Sequence, residues 1–277
     1  MLYHLSDLMF YIVYYLARYR REVVRENLKN SFPEKSPHEI TSIERKFYHH
    51  LCDLIIESFK GFAISDLEIL KRHKFMNPEV IEARFKQGKR VLLLGSHYCN
   101  WEWDALSLPL FTNVQTYGVY QPLTNEFMNR VMKVSRERNG MKLISLKEVS
   151  KTLQETQNDK MAMGYFVDQS PGGNASRYHW MNFLNQDTAA IAVYEYLAKK
   201  VDIPVIYTKM IKTKRGHYES TFIPITDEPR TTKDGFLVET YMRILEKTIQ
   251  EKPEYWLWSH RRWKIKRAAT GTSSSQS

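Results

Sequence analysis

Arg90-Val91-Leu92-Leu93-Leu94-Gly95-Ser96-His97-Tyr98-Cys99-Asn100-Trp101-Glu102-Trp103 sets an unbroken apolar run directly before a polar, histidine-bearing stretch. Val91 to Leu94 shows no alternation, the pattern of a strand covered on both faces. Outward from it, further buried strands are expected at residues 114–120, 141–145, 161–167 and 203–210, mostly separated by stretches long enough for helices. This alternation predicts an α/β fold, a mixed and mostly parallel sheet flanked by helices. Lys214-Arg215-Gly216, between two polar-alternating runs, reads as the hairpin turn that makes the sheet mixed.

Upstream, Ser36-Pro37-His38-Glu39 has the spacing of a capping box with proline at the first helical position. Ile40, Ile43, Phe47, Leu51, Leu54 and Ile55 follow at spacings of three and four, a helical stripe that Gly61 ends. His49 and His50 ride on this helix without a partner at ligand spacing, so they read as structural. A second short helix is expected from about Pro78 to Gly88, capped by Asn77.

The segment Met1 to Ala17 is apolar but interrupted by His4, Ser6 and Asp7. Its unbroken part, Leu8 to Ala17, falls short of the about 20 apolar residues that cross a bilayer. The cations Arg18, Arg20, Arg21 and Arg25 come after the apolar stretch, the reverse of a secretory signal. Residues 1–25 therefore read as a retained helical membrane anchor, with Tyr3, Tyr11, Tyr14 and Tyr15 suited to the water-lipid boundary. A helix that packs its apolar face on the body of the protein is the alternative. Residues 26–267 form one α/β domain on this reading, and the tail 268–277 (AATGTSSSQS) is expected to be disordered.

With 277 residues, 43% hydrophobic and 26% charged, the chain has enough apolar content for an ordinary core, which excludes a disordered or collagen-like class. Forty-one Lys and Arg against 31 Asp and Glu give a formal charge of +10, which favours acidic partners without choosing among nucleic acid, anionic membrane, phosphorylated lipid and acidic protein. Cys52 and Cys99 offer neither a disulfide framework nor structural zinc spacing, and free thiols in a reducing compartment are expected. No metal or cofactor is expected.

Loops after the carboxyl ends of strands are where open α/β sheets bind ligands, which directs attention to residues 95–103. On one regular helix, His97 and Glu102 would lie about 140° apart and would not cooperate. With His97 in the loop, Asn100 as the helix cap and Glu102 in the first turn, the carboxylate could reach back to the imidazole and create a general base. A zinc site of HExxH type needs a second histidine one turn away. Cys99 lies two residues from His97 and need not face it. One His and one Glu five apart leave catalysis and coincidence both open.

The wider pattern adds a resemblance. Gly95-Ser96-His97-Tyr98-Cys99-Asn100-Trp101-Glu102 resembles the His-x-x-x-x-Asp/Glu block of the glycerolipid and lysophospholipid acyltransferase superfamily, and its Asn-Trp-Glu is similar to that of the bacterial lipid A late acyltransferases. Three later segments agree in order. Val119-Tyr120-Gln121-Pro122-Leu123 with Asn125, then Arg136-Glu137-Arg138-Asn139-Gly140, resembles the second block of that family. Gly164-Tyr165-Phe166-Val167-Asp168-Gln169-Ser170 resembles the third, and Tyr255-Trp256-Leu257-Trp258-Ser259-His260-Arg261-Arg262-Trp263-Lys264 the terminal signature. One departure is Gln121, where the family pattern has arginine.

The resemblance implies a glycerol-phosphate acyltransferase-like fold and direct acyl transfer from acyl carrier protein to a hydroxyl of a lipid A precursor, at the cytoplasmic face of a bacterial inner membrane. It implies His97 as base with Glu102 orienting it, Asn100, Arg136, Asp168 and Gln169 as substrate-binding residues, and Arg136 or Arg138 with backbone amides near Asn100 as oxyanion donors. Arg261 and Arg262 would contact the carrier or lipid phosphate, and the basic surface the anionic membrane. The same chemistry serves a lysophospholipid or aminolipid acceptor. A basic protein that binds nucleic acid or membrane is the non-enzymatic alternative, although no nucleic-acid motif is present.

Overall fold

The computed structural model describes residues 2–172 and 178–267, so the expected disordered tail 268–277 lies outside the described residues. Helix α1 (Leu2–Tyr11) continues through a π-helical turn (Ile12–Leu16) and is followed by α2 (Arg21–Ser31), α3 (Pro37–Gly61) and α4 (Asp66–Arg72). Strands and helices then alternate as β1 (His73–Phe75), α5 (Glu79–Lys86), β2 (Val91–Gly95), α6 (Trp101–Phe111), β3 (Gln115–Tyr120), α7 (Glu126–Glu137), β4 (Lys142–Ser145), α8 (Val149–Glu155) and β5 (Met161–Phe166). A small antiparallel pair, β6 (Tyr178–Phe183) and β7 (Gln186–Ile191), leads to α9 (Val193–Val201), β8 (Val205–Lys214), β9 (His217–Thr226) and α10 (Phe236–Glu251).

The main sheet has the order β1-β9-β8-β2-β5-β3-β4. Every neighbouring pair is parallel except β8 and β9, the hairpin turned at Lys214-Arg215-Gly216. The sheet is thus mixed and mostly parallel, as the alternation of elements predicts. All five residues of β2 are buried, which explains its continuous apolar run. Strand β2 lies at the centre between β5 and β8, and its register with β5 pairs Gly95 with Phe166. The polypeptide therefore leaves both strands at the same level and on the same edge of the sheet.

Helix α3 begins with the expected capping box, in which the Ser36 hydroxyl accepts from the Glu39 amide and the Glu39 carboxylate accepts from the Ser36 amide. It ends at Gly61, as expected. Asn77 does not cap α5: its side chain donates to the Phe222 carbonyl and accepts from the Phe222 amide, tying the loop to β9. A side chain held at both ends by a strand is not free to turn back on the helix.

The N-terminal helix packs on α3. Phe10 and Tyr14 are buried in the main core, Phe10 stacks on His49 at a ring separation of 3.6 Å, and the Ser6 hydroxyl donates to Asp53 at 2.7 Å. Its other face leaves Leu5, Leu8, Tyr11, Ile12 and Leu16 exposed, Leu16 at 78%. Among the described residues, no helix is long and apolar enough to cross a membrane.

Candidate active site

His97 and Asp168 stand two residues beyond the registered pair Gly95 and Phe166, so two adjacent parallel strands deliver them to one place. The His97 ring Nδ1 lies 2.7 Å from Asp168 Oδ1, and the His97 amide donates to Oδ2 at 2.9 Å. The Trp256 indole donates to the same Oδ2 at 2.9 Å. Asp168 is 1% exposed. Burial, the largest influence on it, pushes its carboxyl up, but the His97 ring and amide and the Trp256 indole together outweigh burial and hold it below the usual carboxylate range. An ionised Asp168 fixes the proton of the neutral ring on Nδ1 and leaves Nε2 as a lone-pair acceptor without a partner among the described residues.

Aromatic rings flank the imidazole, Trp101 at 5.1 Å and Phe166 at 5.5 Å between centroids. Gly95 makes room for the second of these, because a Cβ there would meet the Phe166 ring at 2.0 Å. The terminal segment closes the back of the loop. Leu257 donates its amide to the His97 carbonyl, Cys99 donates to the Tyr255 carbonyl, and Tyr98 and Trp256 form a bridge. Cys99 adopts a left-handed backbone, φ 57°, and its thiol is buried, with burial raising its pKa well above the ordinary value. It is not an activated nucleophile.

Asn100 caps α6 as the sequence predicts, its side chain accepting from the Trp103 amide at 3.2 Å. Glu102 falls in the first turn, also as expected. Its carboxylate does not reach the imidazole, however. Arg136 from α7 grips it with two bonds of 2.9 and 2.6 Å, and the Trp101 indole donates to it at 3.0 Å. The ring partner expected from sequence is thus replaced by Asp168, since a bidentate guanidinium holds Glu102 elsewhere.

Other expected site residues divide. Arg136 and Asp168 are at the site, and Gln169 is half-buried next to Asp168. Asn100 is fully buried and gives its remaining donors to Glu57 at 2.7 Å, so it is a structural cap and does not line a cleft. Arg138 bonds the Ile64 carbonyl at 2.5 Å and ties the end of α7 to the loop after α3. Arg261 is exposed. Arg262 is 2% exposed and donates to the Ala189 carbonyl, which removes it from any surface contact with carrier or lipid. Sequence reading missed two functional neighbours. Trp256 and His260 stand in the terminal signature with no role of their own; His260 accepts from the Ser170 amide at 3.1 Å, and burial pushes its pKa down to about 4.

A histidine oriented by a buried carboxylate at the carboxyl edge of a mostly parallel sheet can act as a general base, at the edge where such sheets bind ligands. Comparison with known proteins narrows the class. Residues 2–265 match the family model described as bacterial lipid A biosynthesis acyltransferase. The chain is 22% identical over 249 residues to the lipid A biosynthesis palmitoleoyltransferase of Escherichia coli K12, covering 89% of this chain and 79% of that protein. It is 20% identical over 247 residues to the lauroyltransferase of the same organism, covering 89% and 80%, and 22% identical over 249 residues to a lipid A biosynthesis acyltransferase of Haemophilus influenzae, covering 87% and 75%. This chain belongs to the bacterial lipid A biosynthesis acyltransferase family and is an acyltransferase.

Proposed function

We propose that the chain transfers a fatty acyl group from acyl carrier protein to a hydroxyl of a lipid A precursor, with His97 as general base and Asp168 as the residue that orients it. The observation that carries this reading is the 2.7 Å contact between His97 Nδ1 and a buried carboxylate that also takes two N–H donors. Nε2 removes the proton from the acceptor hydroxyl as its oxygen attacks the thioester carbonyl. The imidazolium so formed sits against Asp168, which stays ionised throughout. When the C–S bond breaks, the same proton passes to the leaving thiolate, and neither enzyme nor cofactor keeps a covalent fragment.

The tetrahedral oxyanion needs donors. The first-turn amides of α6 at Trp101 and Glu102 precede the first intrahelical bond, and Arg136 uses only Nε and Nη2 on Glu102, so Nη1 remains for substrate. Glu102 thereby acts on Arg136 instead of on the imidazole. The exposed apolar face of α1 and the π turn supports peripheral insertion into the cytoplasmic leaflet of the inner membrane, in the plane of the interface. Gln121, exposed where the family pattern has arginine, favours a second reading in which the acceptor is a lysophospholipid or aminolipid.

Mass spectrometry of lipids from cells with and without the gene, complemented by wild type or His97→Ala, tests the proposal. Lipid A lacking one acyl chain, restored by wild type alone, is the expected result. Unchanged lipid A with an acyl group missing from a phospholipid or aminolipid would overturn the acceptor, and complementation by His97→Ala would overturn the base.

A further inference from the structure

Five arginines converge where the N-terminal helix ends. Arg18, Arg20, Arg21 and Arg25 from one end of the chain and Arg261 from the other line a groove of about 580 Å³ together with Glu22 and Val23. Two of the five are held from beneath. Arg21 and Arg25 both bond Glu44, which is fully buried, at 3.1 and 2.8 Å. Arg20 donates to the Ser259 carbonyl at 3.0 Å. The side chains of Arg18 and Arg261 are exposed and make no hydrogen bond or ion pair among the described residues.

The backbone that places these side chains is unusual. Arg18 and Arg20 both take left-handed conformations, φ 47° and 51°, although neither is glycine. Left-handed non-glycine residues are strained and persist where surrounding structure over-determines them, often at ligand clamps. Here they allow a π-helical end, Tyr19 and the start of α2 to turn within a few residues while keeping the guanidinium groups on one groove. Guanidinium forks match phosphate geometry in pairs of N–H bonds. The chain that runs into the groove carries the exposed side chains Ile12, Tyr15, Leu16 and Tyr19 immediately before and between Arg18 and Arg20, and the Arg20 guanidinium lies over the Tyr19 ring at 5.6 Å. An anionic lipid matches both features of this segment, its phosphate the guanidinium groups and its acyl region the exposed apolar side chains.

We infer that this groove is a binding site for the phosphate of an anionic lipid headgroup, separate from the acyl-transfer site. It rests on the interfacial placement of α1 proposed above and not on the chemistry at His97. The site is joined to the active site by the terminal segment: Ser259 takes the Arg20 bond, His260 takes the Ser170 amide, and Leu257 bonds the His97 loop. A phosphate held here sets the depth and orientation at which the catalytic loop faces the leaflet.

The test uses full-length protein, wild type and Arg18→Gln combined with Arg261→Gln, in co-sedimentation at physiological salt with three vesicle types: phosphatidylcholine alone, and the same with phosphatidylglycerol or with phosphatidic acid. Circular dichroism checks that the exposed double variant is folded. The expected result is a loss of about 30-fold in affinity for the anionic vesicles, the effect of two membrane-facing charges, with binding to phosphatidylcholine unchanged. Equal binding of variant and wild type to anionic vesicles would overturn the site. So would a variant that keeps vesicle binding and loses only an interaction with acyl carrier protein, or competition of inorganic phosphate at millimolar concentration, which would make free phosphate the ligand. Failure of wild type to bind even phosphatidylcholine would overturn the interfacial placement of α1 separately.

Discussion

Replacing Asp168 by Asn tests the orientation of His97 most directly. Asp168 Oδ2 receives two donors, the His97 amide and the Trp256 indole, each at 2.9 Å, and Oδ1 receives only the ring Nδ1–H at 2.7 Å. Asparagine keeps one oxygen. Placing it at the Oδ1 position would leave two N–H donors facing an amino group, at about 1–3 kcal/mol for each buried bond lost. The oxygen therefore stays at the Oδ2 position and the amino group faces Nδ1. The ring must then accept at Nδ1 and carry its proton on Nε2, the atom proposed as base. Loss of the correct tautomer costs about 10³–10⁴ in turnover, or about 4–5.5 kcal/mol in the barrier. The assay is single-turnover transfer from acyl carrier protein to a lipid A precursor, with circular dichroism to confirm folding and Glu102→Gln in parallel. Turnover of Asp168→Asn within about tenfold of wild type, with Glu102→Gln down by about 10³, would refute the argument and return the orienting role to Glu102.

Glu102 and Arg136 form a half-buried, doubly bonded pair, 14% and 24% exposed at the side chain, so Glu102→Gln and Arg136→Gln should each lower kcat/KM and the double variant should be little worse than either. A coupling of about 1–3 kcal/mol in a double-mutant cycle is expected, and additive losses would show that the two act separately. Asp104 Oδ1 has no hydrogen-bond partner, the ring Nε2 of buried His73 standing off at 3.9 Å, and burial pushes its carboxyl up to about 7 from an ordinary 3.8. Its folded pKa lies above the unfolded one, so ionisation penalises the folded state progressively as pH rises from about 4 to 7. Asp104→Asn should therefore be more stable than wild type by about 1–3 kcal/mol at pH 7.5, with the difference closing below pH 4 in denaturant titrations. A difference independent of pH would contradict this origin.

The features legible in the sequence were those set by local spacing. The apolar run of β2, the Ser36 capping box, the Asn100 cap and the hairpin at Gly216 depend on residues a few positions apart, and all appear in the structure. The His97 partner depends instead on strand adjacency. Asp168 is 71 residues away, and only the parallel register of β2 with β5 brings it to the ring. Proximity in sequence favoured Glu102, but α7 supplies a guanidinium that no spacing rule reveals. A signal was available: the third block ends a predicted strand with an aspartate, at the carboxyl edge where His97 also lies. Arg261 and Arg262 were indistinguishable by sequence for a similar reason. They are neighbours of the same type in a chain of turns, and one enters the core to bond the Ala189 carbonyl while the other meets solvent.

Glu57 on α3 accepts from Tyr3 of α1 at 2.9 Å, from Asn100 at 2.7 Å and from Tyr218 of β9 at 2.7 Å. It is fully buried, and burial raises its pKa despite those three donors and the nearby Lys212. The N-terminal helix and the cap of the catalytic helix are thus wired to a single carboxylate group. That helix is not an interchangeable tether. A chimera that exchanges the first twenty or so residues for another helix, however well matched in hydrophobicity, strips a hydroxyl from Glu57 and loosens the turn that presents His97, unless the donor sequence brings a phenol to the position of Tyr3. In this architecture, changes in the N-terminal helix and changes around His97 are constrained to proceed together.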